Sequence, residues 1–284
     1  MTVGATIWDA LAEATERLED VSESPQLDAE LLLREVTGLS RAALFARYDT
    51  LLPVEQHRRF ARLVARRVAG ESIAYIRGFK GFRNIELCVD RRVLVPRPET
   101  EQFVDYALDW LKRHPGPQVV VDVGTGSGAI ALALAHELGE TYTDVRIVAT
   151  DRYFPALEVA ALNRSRLGLT ERVDLVQADL LTGLRGPFGL ILANLPYLRD
   201  DQQHHSIALE PETALYAGPD GFNYYRRILP HVRRCLVPGG LFVGEIDPAQ
   251  AAVAMAEGRA ALDVPVWVER DLAGDERYFL AGSA

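Results

Sequence analysis

From Gln118 onward, short apolar runs alternate with longer amphipathic runs along the chain. The short runs predict strands at 118–123, 145–150, 173–178, 188–193 and 241–246. The longer runs predict helices at 129–138, 155–167, 221–235 and 248–257. Strands and helices that alternate in this way form a parallel sheet with helices on both faces. Two further runs, at 264–268 and 277–281, predict an antiparallel edge, so the predicted fold class is α/β.

Three closely spaced glycines follow the first of these strands, within Val119–Gly128. A β-branched apolar run predicts a buried strand, and glycines permit a tight turn that brings the backbone close to a ligand. The helix predicted after the turn directs free backbone N–H groups at that ligand. The spacing of Gly124, Gly126 and Ala129 also fits the dinucleotide-binding pattern, although that pattern alone does not identify the cofactor.

An acidic residue, Asp151, ends the next predicted strand. A carboxylate at the end of such a strand can accept hydrogen bonds from ribose hydroxyls. The glycine turn and Asp151 together therefore predict a site for a cofactor that contains a nucleoside.

The tetrad Asn194–Tyr197 follows the strand predicted at 188–193. Polar residues that end a strand of an open α/β sheet face the crevice where ligands bind. The Asn194 amide offers a donor and an acceptor, the next carbonyl offers a second acceptor, and Tyr197 offers a flat face. Such a group can hold a planar –NH2 group, which favours a methyltransferase acting on planar nitrogen over a dehydrogenase. The unusually long loop at 195–220 is a candidate functional loop.

The composition is that of an ordinary globular protein, since 48% of the 284 residues are hydrophobic and 25% are charged. No apolar run approaches the roughly 20 residues that a membrane span requires, and no secretory signal is visible at the N-terminus. Cys88 and Cys235 are far apart in the sequence, so we expect buried thiols in a reducing compartment and a cytoplasmic protein. The adjacent His204 and His205 lack the spacing of a zinc site, and we predict no metal.

Charge is distributed unevenly along the chain, whose net charge is −9. Residues 1–40 carry two Arg and nine acids, whereas residues 41–92 carry twelve Lys and Arg and five acids. The overall negative charge argues against a general nucleic-acid binder. The basic stretch could face an acidic partner or RNA, or it could be a solvated helix face followed by a hairpin.

Changes in periodicity divide the chain into three segments. Residues 1–76 predict a small helical domain, because apolar residues recur there at helical spacing. Residues 77–95 predict a β-hairpin that links two domains, with its strands at Ile85–Val89 and Val93–Val95. Residues 96–284 form the predicted α/β domain.

The motifs along the chain resemble those of the protein-(glutamine-N5) methyltransferases that modify bacterial peptide-chain release factors. The resemblance covers nearly the whole length of the chain. Its most specific motifs are Pro96–Glu101 and Glu210–Leu215, whereas the glycine motif within Asp122–Ala135 is shared by many methyltransferases. The other matching segments are Gln177–Leu180, Asn194–Tyr197, Asp220–Gly221 and Asp271–Gly274.

Two residues depart from the pattern of this family. Leu195 stands where the family usually has proline, which makes the tetrad similar to that of rRNA adenine dimethyltransferases. A nucleic-acid amino-methyltransferase therefore stays an alternative, as does a methyltransferase that acts on a ribosomal-protein glutamine. Asp247 stands where the family usually has glycine, which affects the geometry of the local loop.

The resemblance implies a Rossmann-like class I S-adenosylmethionine-dependent methyltransferase sheet with a small N-terminal helical domain that docks the protein substrate. The implied reaction moves a methyl group from S-adenosyl-L-methionine to the side-chain amide nitrogen of a glutamine and leaves S-adenosyl-L-homocysteine. That glutamine belongs to the Gly-Gly-Gln motif of a peptide-chain release factor. We expect no stable binding to nucleic acid and no membrane association.

The resemblance also implies roles for individual residues. The implied cofactor-binding residues are Gly124, Thr125, Gly126, Ser127, Gly128, Asp151, Asp179, Leu180 and Asn194. The implied catalytic residues are Asn194, Leu195, Pro196 and Tyr197. These four residues, together with Arg97 and Glu99, are the implied substrate-binding residues.

Overall fold

The computed structural model of the chain describes residues 5–202 and 209–283. The chain divides into two compact units, and the second begins at Lys80. The first unit contains the helices α1 (Ile7–Leu18), α2 (Pro25–Thr37), α3 (Arg41–Phe45), α4 (Val54–Val68) and α5 (Ile73–Arg77). None of the helices among the described residues is long and apolar enough to cross a membrane. Our division of the chain at residues 76 and 95 remains a proposal.

Local signals in the sequence set the ends and the buried faces of these helices. Thr6 and Asp9 form a capping box at the start of α1, in which each side chain accepts a hydrogen bond from the other residue's backbone N–H. Gly38 ends α2 in the left-handed conformation, which glycine adopts without steric cost. The apolar stripe of α1 is buried, and Phe60 and Val64 form the buried face of α4.

Acidic and basic side chains pair within the first unit. Asp28 contacts Arg67 at 2.8 Å, and Glu30 contacts Arg41 at 2.8 Å. In both pairs the acid comes from the acidic N-terminal segment and the arginine from the basic stretch that follows it. Part of the basic excess therefore neutralises acids of the same unit.

A β-hairpin formed by β1 (Phe79–Phe82) and β2 (Ile85–Cys88) follows α5. The prediction that Val93–Val95 forms its second strand is wrong, because the chain turns earlier. Arg83 adopts a left-handed conformation with φ 48° in the two-residue connection between the strands. The backbone N–H of Val95 instead donates a hydrogen bond to the Glu210 carboxylate at 3.2 Å.

The second unit is built around a seven-stranded sheet. Its strands are β3 (Gln118–Val123), β4 (Val145–Asp151), β5 (Val173–Gln177), β6 (Phe188–Ala193), β7 (Leu236–Glu245), β8 (Val266–Arg270) and β9 (Glu276–Gly282). They lie in the order β5-β4-β3-β6-β7-β9-β8. Neighbours from β5 to β7 are parallel, and β9 is antiparallel to both β7 and β8. The predicted parallel sheet with an antiparallel edge is confirmed.

Helices cover both faces of this sheet. They are α6 (Gln102–Arg113), α7 (Ala129–Leu138), α8 (Phe154–Arg166), α9 (Asn223–Cys235) and α10 (Ala251–Ala261). Helices α6 and α7 share one apolar cluster with strand residues such as Val120 and Leu190. Helices α9 and α10 share a second cluster with the alternate strand residues, such as Val121 and Ile191. Because successive side chains of a strand point in opposite directions, the two clusters lie on opposite faces.

Strand β7 begins earlier than the sequence predicts. Pro238–Gly240, a sequence typical of a turn, lies inside β7 and precedes the strand predicted at 241–246. The register with β6 shifts there, so the extra residues of β7 form a bulge. An added Cβ at Gly240 would lie 2.9 Å from the Gly189 carbonyl oxygen, so the close approach of the two strands requires glycine.

The Asp122 carboxylate holds the turn that follows β3. Its Oδ2 atom accepts hydrogen bonds from the Thr125 hydroxyl at 2.6 Å and from the Ala131 N–H at 3.2 Å. Gly128 has no side chain with which to cap α7, so Asp122 supplies that acceptor. Its Oδ1 atom is buried and has no hydrogen-bond partner among the described residues. Burial raises the pKa of Asp122 to about 6.

Replacing Asp122 with asparagine should remove one pH dependence of the free energy of unfolding. The folded chain binds the Asp122 proton more tightly than the unfolded chain, whose pKa is 3.8. The stability that this group contributes is therefore present below about pH 4 and is lost as the pH rises to about 6. That difference in pKa corresponds to about 3 kcal/mol.

We therefore expect the stability of Asp122→Asn, relative to the parent, to rise by about 3 kcal/mol between about pH 4 and pH 7. Urea unfolding at a series of pH values measures this difference. Asp144→Asn, the same change at an exposed position, is the matched control. A difference between Asp122→Asn and the parent that stays constant with pH would contradict the prediction.

Candidate active site

A cavity lies within the second unit at the carboxyl ends of the central parallel strands. It holds about 730 Å³ of empty space, part of it open to solvent. Open α/β sheets bind ligands where the strand order reverses, which here is the junction of β3 and β6. The predicted site residues that line the cavity are Gly124, Gly126, Asp151, Asp179, Leu180, Asn194, Leu195 and Pro196.

Three other predicted residues of the glycine turn do not line the cavity. Thr125 and Ser127 are buried, and the Ser127 carbonyl accepts a hydrogen bond from Asn163 at 2.9 Å. Gly128 has φ 86°, and an added Cβ there would lie 2.7 Å from a methyl carbon of Leu132. Any contact of Thr125, Ser127 or Gly128 with a cofactor stays a prediction.

The Asp151 carboxylate joins the turn after β3 to the turn after β4. Its Oδ2 atom accepts a hydrogen bond from the Gly126 N–H at 3.0 Å, and its Oδ1 atom accepts one from the Tyr153 N–H at 2.9 Å. Burial raises the pKa of Asp151, although these two hydrogen bonds act in the opposite direction. A carboxylate has about four acceptor positions, so Asp151 can still accept hydrogen bonds from a ligand in the cavity.

Asp179 and Leu180 follow the end of β5 and line the cavity. The Asp179 carboxylate pairs with Arg227 of α9 at 2.5 Å, which fixes its direction. Leu180 has φ 55°, a left-handed conformation that is costly for a residue with a branched side chain. Such strain concentrates at ligand sites, where the surrounding structure holds the residue in place.

The Asn194 amide lies at the carboxyl end of β6. Its Nδ2 atom donates a hydrogen bond to the Thr100 hydroxyl at 2.8 Å, so its oxygen faces away from Thr100. The neighbouring strand β3 holds Val123 opposite Ala193, which brings Gly124 beside Asn194. The structure therefore places the amide next to the glycine turn.

Leu195 contributes its side chain to the core as well as its carbonyl to the tetrad. Its Cδ2 atom lies 3.2 Å from the position that a Cβ would take at Gly124. Its side chain is 3% exposed and belongs to the apolar cluster that includes Phe222 and Tyr225. The residue that departs from the family's usual proline is thus part of the core of the second unit.

Tyr197 is not among the described residues that line the cavity. Its hydroxyl donates a hydrogen bond to the Glu245 carboxylate at 3.1 Å, and burial raises its pKa. A contact between the flat face of the Tyr197 ring and the substrate stays a prediction.

Sequence reasoning missed Glu245 and the Thr100 side chain. Glu245 is 1% exposed, and burial raises its pKa. The Thr100 hydroxyl donates to it at 2.9 Å, while Tyr197 donates to its other oxygen. An acid at the end of an otherwise apolar strand is the signal that could have identified Glu245, because buried acids are rare unless they have partners.

Arg97 and Glu99 are not among the described residues that line the cavity. Arg97 pairs with the buried Glu210 carboxylate at 2.6 Å, which ties the Pro96–Glu101 motif to the Glu210–Leu215 motif. The Glu99 side chain is exposed, and its carbonyl accepts a hydrogen bond from Tyr278 at 2.8 Å. Substrate binding by Arg97 and Glu99 stays a prediction.

Among the residues that the structure describes, no cluster of three His, Cys, Asp or Glu side chains could hold a metal ion. His204 and His205 lie outside the described residues. Cys88 and Cys235 are free thiols; Cys235 is buried as predicted, whereas the prediction is wrong for Cys88, which is only partly buried.

Solved structures share the fold at low sequence identity. The hMettl16 catalytic domain, in complex with MAT2A 3'UTR hairpin 6, is 19% identical with a TM-score of 0.54, and the match covers 69% of this chain and 75% of that one. A methyltransferase from Pyrococcus furiosus is 19% identical with a TM-score of 0.50, and the match covers 79% of this chain and 100% of that one. These matches concern the fold alone, and they confirm the predicted Rossmann-like fold.

Two family models match separate parts of the chain. The model described as PrmC N-terminal domain matches residues 9–78, and the model described as Methyltransferase small domain matches residues 105–211.

Curated relatives named release factor glutamine methyltransferase match over most of the chain. The protein from Rhodopirellula baltica is 38% identical over 90% of this chain and 88% of its own length. The protein from Deinococcus radiodurans is 38% identical over 97% of this chain and 98% of its own length. The protein from Escherichia coli K12 is 38% identical over 83% of each chain. The chain therefore belongs to the family of release factor glutamine methyltransferases.

Proposed function

We propose that this chain methylates the side-chain amide nitrogen of the glutamine in the Gly-Gly-Gln motif of peptide-chain release factors, with S-adenosyl-L-methionine as methyl donor. One observation carries the proposal: the Asn194 amide is bound to Thr100 through its nitrogen at the edge of the cavity, so its oxygen remains as an acceptor. The names of the relatives support the choice of substrate. We also propose that the protein acts in the cytoplasm, which its two free thiols favour.

The residues of the cavity suit a cofactor that contains a nucleoside. An added Cβ at Gly126 would have no atom within 4 Å, so glycine leaves open space beside the backbone there. Asp151 would accept hydrogen bonds from the ribose hydroxyls, and Asp179 with Leu180 would border the adenine. When bound, S-adenosyl-L-methionine supplies a methyl group on a positively charged sulfur, which makes it a strong electrophile.

The residues of the tetrad must align a poor nucleophile. The lone pair of an amide nitrogen is delocalised into its carbonyl group, so the reaction gains most from orientation. The Asn194 side-chain oxygen and the Leu195 carbonyl would each accept one amide hydrogen of the substrate glutamine. These two bonds orient the nitrogen toward the cavity and stabilise the positive charge that develops on it. The amide proton leaves late, to water or to a nearby acceptor.

We propose that the helical first unit docks the release factor. Trp8 is 57% exposed, and its ring meets Tyr48 edge-on at a centroid distance of 5.4 Å. Phe45 also meets Tyr48 edge-on, at a centroid distance of 5.2 Å, and the Arg41 guanidinium lies over the Phe45 ring. Exposed aromatic side chains grouped with arginine are characteristic of protein-binding surfaces.

A labelled methyl group distinguishes the proposed substrate from the alternatives. The purified protein is incubated with labelled S-adenosyl-L-methionine and, in separate reactions, with a release factor, a mixture of ribosomal proteins and rRNA. Mass mapping then locates the label. We expect it on the glutamine of Gly-Gly-Gln; label only on rRNA or only on a ribosomal-protein glutamine would replace the proposal with the corresponding alternative.

Asp151→Ala should weaken the binding of S-adenosyl-L-methionine by about 1.5–3 kcal/mol, because a charged hydrogen-bonding partner of the ribose is lost. Isothermal titration calorimetry measures the affinity. Asp151→Asn keeps one side-chain oxygen and should lose less. Unchanged affinity in a folded Asp151→Ala protein would remove Asp151 from the cofactor site.

Asn194→Ala should lower kcat by about 10²–10³-fold, as the loss of other transition-state hydrogen bonds does. Cofactor affinity should change much less, because the lost oxygen is assigned to the substrate. Steady-state kinetics on the release factor give kcat, with the exposed Asn84→Ala as a control for the substitution itself. The assignment fails if Asn194→Ala changes cofactor affinity and leaves kcat as in the parent.

Trp8→Ala should raise KM for a whole release factor several-fold and leave kcat/KM for a short Gly-Gly-Gln peptide unchanged. The reason is that only the whole protein can reach an aromatic surface on the first unit. Leu162→Ala, which removes an exposed apolar side chain from α8, is the matched control. Equal changes on both substrates would show that Trp8 serves folding instead of docking.

A further inference from the structure

We propose that Thr100 and Glu245 are positioning residues, which fix the orientation of the Asn194 side-chain amide and aim its oxygen at the substrate. This inference rests on the proposed function, in which that oxygen accepts a hydrogen from the glutamine amide. Neither residue belongs to the tetrad. Both are buried, at 4% and 1% exposed, so each acts through Asn194 and not through a contact with substrate.

Three side chains form a single chain of hydrogen bonds. The Asn194 Nδ2 atom donates to the Thr100 hydroxyl oxygen at 2.8 Å. The Thr100 hydroxyl in turn donates to the Glu245 Oε2 atom at 2.9 Å. Both hydrogen bonds therefore have normal donor–acceptor distances.

The Glu245 carboxylate sets the donor-to-acceptor direction of both hydrogen bonds in this series. An ionised carboxylate only accepts hydrogen bonds, and a hydroxyl has one hydrogen to donate. Because the Thr100 hydrogen goes to Glu245, the Thr100 oxygen can only accept from Asn194. Within the Asn194 amide, only the nitrogen can donate. The amide oxygen must then point away from Thr100, which is the orientation that the proposed reaction requires.

Glu245 is itself held in one position. It is the last residue of β7, and its neighbour Gly244 pairs with Ala193 of β6, the residue before Asn194. The Tyr197 hydroxyl donates to its Oε1 atom at 3.1 Å, so both oxygens have donors. Burial raises the pKa of Glu245, whereas the hydrogen bonds from Thr100 and Tyr197 and the charge of Arg277 act in the opposite direction.

The Pro96–Glu101 motif presents the Thr100 hydroxyl from the other side. Thr100 lies in the short 3-10 helix Glu99–Glu101 that precedes α6. The Tyr278 hydroxyl donates to the Glu99 carbonyl at 2.8 Å, and Arg97 pairs with the buried Glu210 at 2.6 Å. These contacts anchor the segment, so the motif serves to hold one hydroxyl against Asn194.

The first test observes the amide directly and needs no substrate. The 1H–15N resonances of the Asn194 side chain are identified by their loss in Asn194→Ala. Thr100→Val and Glu245→Gln should shift these resonances, because each removes or reverses a bond in the chain. Thr100→Ser keeps the hydroxyl and should leave them near their parent positions. Resonances that stay unchanged in both Thr100→Val and Glu245→Gln would overturn the inference. This outcome does not depend on whether the proposed function is correct.

The second test measures kcat on the release factor. Thr100→Val and Glu245→Gln should each lower kcat by about 10–100-fold, the range observed when residues that orient metal ligands are replaced. KM and cofactor affinity should stay within about twofold of the parent values, and Thr100→Ser should restore most of kcat. Tyr106→Phe is the matched control, because its hydroxyl also donates to a carboxylate, that of Glu269, at 2.6 Å.

A double variant separates positioning from an independent structural role. If Thr100 acts through Asn194, then Thr100→Val added to Asn194→Ala should cause no further loss of kcat. Losses that multiply, or a loss in Thr100→Ser as large as in Thr100→Val, would overturn the inference. A parent protein that fails to methylate the release factor would instead count against the proposed function, and the resonance test would still decide this inference.

Discussion

The parallel pairing of β3 with β6 is the contact on which the site depends. Backbone hydrogen bonds hold Val123 opposite Ala193, so the residues that leave the two strands emerge side by side. Those residues are Gly124, which begins the turn beside the cavity, and Asn194. A side chain at Gly124 would crowd Leu195, since its Cβ would lie 3.2 Å from the Leu195 Cδ2 atom. The missing side chain at Gly124 is thus what lets both motifs share one cavity.

Buried carboxylates organise this end of the sheet. Asp122 holds the glycine turn, Asp151 joins two turns, Glu210 ties two distant motifs together, and Glu245 orients Asn194. Burial raises the pKa of each of these four groups, so each is costly to keep charged. The chain offsets this cost with backbone N–H groups, hydroxyls and arginine. Such groups hold the loops in fixed positions, which an apolar core of the same volume could not do.

Charge patterns in the sequence acquire a different meaning once ion pairs are known. The acidic and basic segments at the start of the chain suggest a docking surface. In the structure, however, Asp28 pairs with Arg67, and Glu30 pairs with Arg41. These arginines are already engaged, and Asp28 and Glu30 are both buried. The aromatic group around Trp8 is therefore a stronger indication of a docking surface than net charge.

The sequence by itself determined the order of strands and helices from Gln118 onward, because burial in a two-sided sheet imposes a periodicity on local residues. It also placed Gly124, Asp151 and Asn194 at strand ends, where ligand-binding groups are expected. Only the tertiary structure decided which distant side chains meet. Thr100 and Asn194 are 94 residues apart, and their hydrogen bond depends on where α6 starts relative to β6. Local periodicity carries no information about such a contact, since strand register and helix packing create it after the elements have formed.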